Sequence, residues 1–201
     1  MPMSLPIDAD ANELVSASPL ALLIAMLLDQ QVTIEKAFTS PRDLVRRLGH
    51  EPSAEELAGF DPGALAAVFS ARPALHRYPR AMAGRVQQLC QHIVDHYGGD
   101  PAAVWAGAAT GAELLARLRA LPGFGADKAR IFLALLGKQF GVRPPGWREA
   151  AGHFGDKDGH YSVADIVDAA SLATVRQYKQ GMKAATRAAA AGPAVNLSRG
   201  A

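Results

Sequence analysis

The chain has 201 residues, a formal charge of +2 at neutral pH, 49% hydrophobic and 20% charged residues, the composition of a globular protein with one domain or two small lobes. Aromatic residues make up only 6%, and alanine and leucine dominate the apolar share, which favours helices and argues against an all-β fold. The single cysteine, Cys90, excludes a disulfide framework and any zinc or iron–sulfur site with four cysteine ligands from this chain.

Residues 1–17 read as an extended polar lead-in, with Asp8, Asp10 and Glu13 as a small acidic cluster. Ser18-Pro19 pairs an N-cap with a proline at the first helical position and opens a buried helix expected to run through Leu28 to about Ile34. That apolar stretch, Pro19 to Leu28, is too short to span a bilayer. No leader pattern precedes it, so a cytoplasmic protein with no membrane partner is expected. A turn at Thr39-Ser40-Pro41 precedes a short helix over 42–48. Ser53 with Glu56 forms a capping box for a helix ending before Gly59, and Asp61-Pro62 caps another through Phe69. From Arg80 to Tyr97, residues Met82, Val86, Leu89, Ile93 and Tyr97 share one helical face. Gly98-Gly99-Asp100-Pro101 stops that helix.

Residues 112–120 and 126–140 are helical in pattern, with Gly141 as the second stop. Residues 143–159, rich in Gly, Pro and charge, read as an irregular connection, and one or two last helices occupy 162–191. The expectation is an all-α fold of about eight to ten short helices, one two-lobed domain over 18–191, and a flexible tail at 192–201.

The segment with chemistry in it is Leu121-Pro122-Gly123-Phe124-Gly125-Ala126-Asp127-Lys128-Ala129. Two glycines one residue apart between helices make a tight hairpin that can present consecutive backbone N–H groups. The second helix adds the unpaired donors and positive dipole end of its first turn. Such a turn can hold a phosphate, with Lys128 as a further contact. Equally, the turn can be a plain corner in which glycine serves geometry alone.

Leu-Pro-Gly-Phe-Gly-x-x-Lys-Ala between an amphipathic and an apolar helix resembles the helix–hairpin–helix of the HhH-GPD superfamily of base-excision DNA glycosylases. The resemblance extends upstream to the basic helix from Arg80 to its Tyr-Gly-Gly end, and to Leu27-Leu28-Asp29-Gln30-Gln31, which looks like the family's first core helix, with a polar glutamine pair interrupting it after an apolar run. It covers about Ser18 to Gly141. It implies a two-lobed helical fold that grips duplex DNA, damaged or abasic, through Gly123, Phe124, Gly125, Asp127 and Lys128. Gln30, Gln31 and Arg80 would lie near the pocket that receives a flipped nucleotide. A carboxylate would assist glycosidic cleavage by stabilising oxocarbenium character on the sugar.

This sequence departs from the family pattern at two catalytic positions. Asp127 stands where bifunctional members carry their lysine, and Lys128 lies one residue later, roughly 100° around the helix. The family's aspartate falls some eighteen residues beyond that lysine, a register held here by Pro145. Candidate replacements are Asp29, Glu149 and Asp156. The open readings are a monofunctional glycosylase using another acid, a non-catalytic damaged-DNA binder, and a protein-interaction module. No cofactor, metal or obligate protein partner is expected.

Further residues have both a plain and a functional reading. His92 and His96 have metal-chelating spacing but read as a solvated pair without a third ligand. Arg176, Lys179, Lys183 and Arg187 form one basic stripe, and Arg72, Arg77, Arg80 and Arg85 a second group; either could follow a phosphate backbone or simply be solvated. Trp147 could stack on a base, though core packing is favoured, and Trp105 and Cys90 read as core.

Overall fold

The alanine- and leucine-rich chain folds into helices throughout. The computed structural model describes residues 3–191, and among these it forms α1 (Ala9–Ala17), α2 (Pro19–Leu28), α3 (Ile34–Leu48), α4 (Ala54–Gly59), α5 (Pro62–Ser70), α6 (Pro79–Tyr97), α7 (Gly111–Ala120), α8 (Ala126–Gln139), α9 (Trp147–Ala151) and α10 (Ala169–Ala191). Short 3-10 turns lie at Pro101–Val104, Gly152–Gly155 and Val163–Asp165, and no strand forms among the described residues. The tail expected at 192–201 lies outside them.

Local capping chemistry sets many helix starts. The side chains of Ser18, Ser53, Asp61 and Thr110 each accept a hydrogen bond from a backbone N–H in the first turn that follows. In α6 the anticipated face is buried at Met82, Val86, Leu89 and Ile93, with Ala83 and Cys90 beside it. Burial pushes the Cys90 thiol up to about 12, so it packs as an inert apolar group.

Helices α4 and α5 pack on α6, while α1 and α2 pack on α3. A second group comprises α7, α8 and α9 with the two later 3-10 turns, and α10 continues from the last of these. Between the groups runs α2, in which every residue from Leu20 to Leu28 is buried. It touches α3, α6 and the 101–104 turn. No single described helix is long and apolar enough to cross a membrane.

Several elements differ from the sequence expectation. Part of the 1–17 lead-in is the helix α1, tied down by contacts that local pattern does not reveal. Asn12 bonds both the N–H (3.0 Å) and the carbonyl (2.7 Å) of Leu5, and Arg42 pairs with Asp8 at 2.6 Å and Asp10 at 3.0 Å. Helix α2 stops at Leu28 instead of reaching Ile34, and Thr33 caps a new helix. That helix continues through Pro41, where a turn was expected. Ile34, Ala37, Phe38, Pro41 and Leu44 form one buried stripe, and its burial outweighs the lost backbone bond. The 143–159 connection contains α9 and a 3-10 turn. Trp147 is buried there, its ring so close to Gly137 that a Cβ on that glycine would lie 2.4 Å from it, which leaves this indole no part in base stacking.

Candidate nucleic-acid interface

The hairpin joins α7 to α8. Gly123 has φ +83° and its Cα faces Leu27, whose Cδ1 would be 2.4 Å from an added Cβ. Backbone and space therefore both require glycine there. Gly125 is different. It sits at φ −70° as the N-cap of α8, and an added Cβ would meet nothing within 4 Å. Neither conformation nor packing asks for glycine at 125, and the surface above the α8 N-terminus stays open for close approach.

Phe124 and Lys128, grouped by sequence with the phosphate contacts, turn their side chains inward. The Phe124 ring is buried, 5.9 Å from the ring of Phe132, which in turn meets Trp105 edge-on at 5.8 Å. Lys128 reaches beneath the hairpin and its Nζ donates to the Leu27 carbonyl at 2.8 Å. Asp127, by contrast, projects into solvent at 81% side-chain exposure. The Phe124 N–H is committed to the Leu121 carbonyl at 3.1 Å, so the hairpin offers the N–H groups of Gly123 and Gly125 and the dipole of α8, with the lysine turned inward.

A polar cluster forms around that amine at the end of α2. Gln30 Nε2 donates to the same Leu27 carbonyl at 2.9 Å, and its Oε1 accepts from Arg85 at 2.8 Å. The backbone carbonyl of Gln30 lies 2.9 Å from His76 Nε2. Because His76 Nδ1 accepts from the Tyr78 N–H at 3.0 Å, Nε2 carries the proton and donates. Burial lowers the His76 pKa, which keeps the ring neutral. Gln31 occupies positive φ (+56°) and is exposed at the tip of the turn. The two glutamines therefore follow the helix instead of interrupting it, one held in that cluster and the other presented outward.

Burial lowers the Lys128 pKa to about 8; Asp29 opposes the shift, while Arg85 and Lys179 add to it. Asp29 at the end of α2, Arg85 on α6 and Lys179 on α10 thus lie near enough for their charges to reach this amine. A folded-state pKa below the usual 10.5 means the unfolded chain binds the proton more tightly. The resulting destabilisation is fully present below about pH 8 and fades as pH rises toward 10.5. Lys128→Met is therefore expected to raise stability at pH 7 and to change it little at pH 10, as read from urea midpoints. Equal effects at both pH values would refute a desolvated amine. Gln30 remains as a donor to Leu27 in that variant.

Of the three candidate carboxylates, only Asp29 is near enough for its charge to act on Lys128. Glu149 and Asp156 are exposed and belong to the segment that docks at Gly137, roughly 14 Å along α8 from Lys128. The basic residues separate similarly. Arg80 is exposed in the first turn of α6. Arg176 pairs with Glu35, and Arg176, Lys179 and Lys183 face Val32, Thr33 and Ile34 across a cavity of about 250 Å³. Sequence reading missed Tyr78, which is 44% exposed, with the Arg77 guanidinium 5.4 Å from its ring centre. Its signal was an aromatic set inside the Arg72–Arg85 basic run. His92 and His96 stack on each other at 4.1 Å, and no group of three potential metal ligands comes together among the described residues.

No curated protein and no solved structure matches the chain. A family profile described as HhH-GPD superfamily base excision DNA repair protein matches residues 24–192. The matched span holds the Asp29–Gln31 turn, the glycine hairpin and nearly all of the helical architecture described above. The chain belongs to the HhH-GPD superfamily of base excision DNA repair proteins.

Proposed function

We propose that the protein is a monofunctional DNA N-glycosylase. In this reading it grips duplex DNA by the backbone N–H groups of Gly123 and Gly125 and the N-terminus of α8. The damaged nucleotide enters the cleft between α2, α8 and α10. Asp29 then stabilises the positive charge that develops on the sugar as the bond from C1′ to the base breaks and water adds at C1′. The observation that carries the proposal is the place of Asp29: a carboxylate whose charge reaches Lys128, two residues after the Leu27 side chain against which Gly123 lies. Gln31 and Tyr78, both exposed at the cleft margin, are placed to contact bases left unpaired, the tyrosine by stacking.

The commitment of the Lys128 amine to the Leu27 carbonyl supports hydrolysis over a Schiff-base step. A second reading, a non-catalytic binder of damaged DNA, is favoured by the register where the family aspartate would fall. Pro145 stands there, and the buried Trp147 fills the space that follows. Duplexes bearing single alkylated, deaminated or oxidised bases separate the two readings, since a glycosylase releases free base and a binder does not.

The hairpin role has its own test. Gly125→Thr preserves N-cap chemistry and meets no neighbour within 4 Å, so its stability is expected to stay within about 0.5 kcal/mol of the parent. Affinity for a duplex carrying an abasic-site analogue is expected to fall about tenfold or more, equivalent to about 1.4 kcal/mol. Unchanged affinity would remove the hairpin from the interface.

A further inference from the structure

A second polar cavity, of about 390 Å³, lies at the opposite end of α8 from the hairpin. Its lining includes Lys138, Arg143, Arg148, Lys157 and His160, against the two carboxylates Asp158 and Asp165. One of those carboxylates is already neutralised. Asp165 is 3% exposed, pairs with Lys138 at 2.5 Å, and accepts the N–H groups of Tyr161 and Ser162. Arg143, Arg148 and Lys157 then outnumber Asp158.

The two arginines are held in place by backbone. Arg143 Nε donates to the Gly137 carbonyl at 2.7 Å, which leaves its terminal Nη1/Nη2 edge. Arg148 Nη1 donates to the Gly155 carbonyl at 2.6 Å, which leaves the parallel Nε/Nη2 edge. Neither remaining edge has a partner among the described residues. The Arg148 guanidinium also lies 4.4 Å from the Trp147 ring, and that ring lies on Gly137. At Gly155 an added Cβ would stand 2.5 Å from the Arg148 carbonyl oxygen. Two glycines and a buried indole therefore fix two guanidinium forks, each with a free edge. Lys157 and His160, on the 156–160 loop, have no hydrogen-bond partner among the described residues, and Lys157 supplies adaptable charge.

We infer that this cavity is a binding site for a phosphate group, on a free nucleotide or in a DNA strand, with Arg148 and Arg143 as its oriented donors and Lys157 as an added charge. Fixed guanidinium edges match the paired oxygens of phosphate better than a point charge does, and the volume admits a whole nucleotide. The inference is independent of the Gly123–Gly125 hairpin and of any activity at Asp29.

The test uses the full chain with pyrophosphate and deoxyadenosine monophosphate as probes, by titration calorimetry at low salt. If the phosphate belongs to a free nucleotide, both probes bind, and Arg148→Gln and Lys157→Gln each weaken them about fivefold or more. Gly125→Thr then leaves that binding intact, and none of these cavity substitutions changes duplex affinity. If the phosphate belongs to a DNA strand, the same two substitutions weaken duplex binding, and the slope of log affinity against log salt flattens by about 0.9 for each phosphate no longer neutralised. Lys157→Gln breaks no hydrogen bond or ion pair among the described residues, so it reports on the site even if Arg148→Gln perturbs the loop. Probe and duplex binding that are both absent, or both indifferent to these substitutions, would overturn the inference.

Discussion

Phe132→Ala is expected to lower the stability of the protein by about 3–5 kcal/mol, the usual cost of emptying a large aromatic site in a core. Phe132 is fully buried in α8 and touches Trp105 on one side and Phe124 on the other. Phe124 is the middle residue of the hairpin, so the cavity would open directly beneath the loop that carries Gly123 and Gly125. Urea denaturation should show the stability loss. Hydrogen exchange should show the amides of residues 123–127 opening more readily than those of α6, which packs in the other helix group. A loss below about 1.5 kcal/mol, within the range of a volume-conserving swap, would mean that the hairpin is held by Leu27 and Leu121 instead. Phe132→Leu, which leaves a smaller void, should retain most of the stability and serves as the graded control.

Asp29→Asn is expected to reduce base release from a damaged duplex by about 10²–10³-fold, the range seen when one preorganised electrostatic stabiliser is removed. Affinity for a duplex with an abasic analogue should change little, because the substitution preserves shape and the carboxylate has no hydrogen-bond partner among the described residues. A second readout separates catalysis from packing. Asp29 supports the protonated form of Lys128, so the asparagine variant should titrate Lys128 lower still, visible in side-chain NMR. A shifted Lys128 with undiminished base release would place Asp29 in the cleft but outside the chemistry. Loss of release on Glu149→Gln instead would move the catalytic acid to the far end of α8.

Features governed by neighbouring residues were legible before any coordinates. Ser18-Pro19, Ser53, Asp61-Pro62 and Gly98-Gly99 mark helix ends because capping needs only a few adjacent backbone groups. The glycine hairpin and the order of motifs around it were enough to place the family. What depended on distant partners was not legible. α1 is held partly by Arg42, and Pro41 is tolerated because of a stripe that becomes buried only when α3 packs. The angle of Lys128 around α8 follows from helical geometry, yet the acceptor it finds, the Leu27 carbonyl, is 101 residues away in sequence. The same holds for the Gly137–Trp147 contact, which turned a supposed irregular loop into part of the core. Asp29 could be nominated among three acids from sequence; preferring it in the proposal required knowing where α9 docks.

The pairing of Arg176 with Glu35 joins residues 141 positions apart and bears on how the protein is made. Chains emerge amino end first, and their parts fold as they appear. Asp29, the glutamine turn and the hairpin with Lys128 are all translated before α10 begins at Ala169. Until α10 is made, Lys128 is not yet under the influence of Lys179. Lys128 therefore meets its full set of neighbouring charges only after α10, made later than all of these, has packed.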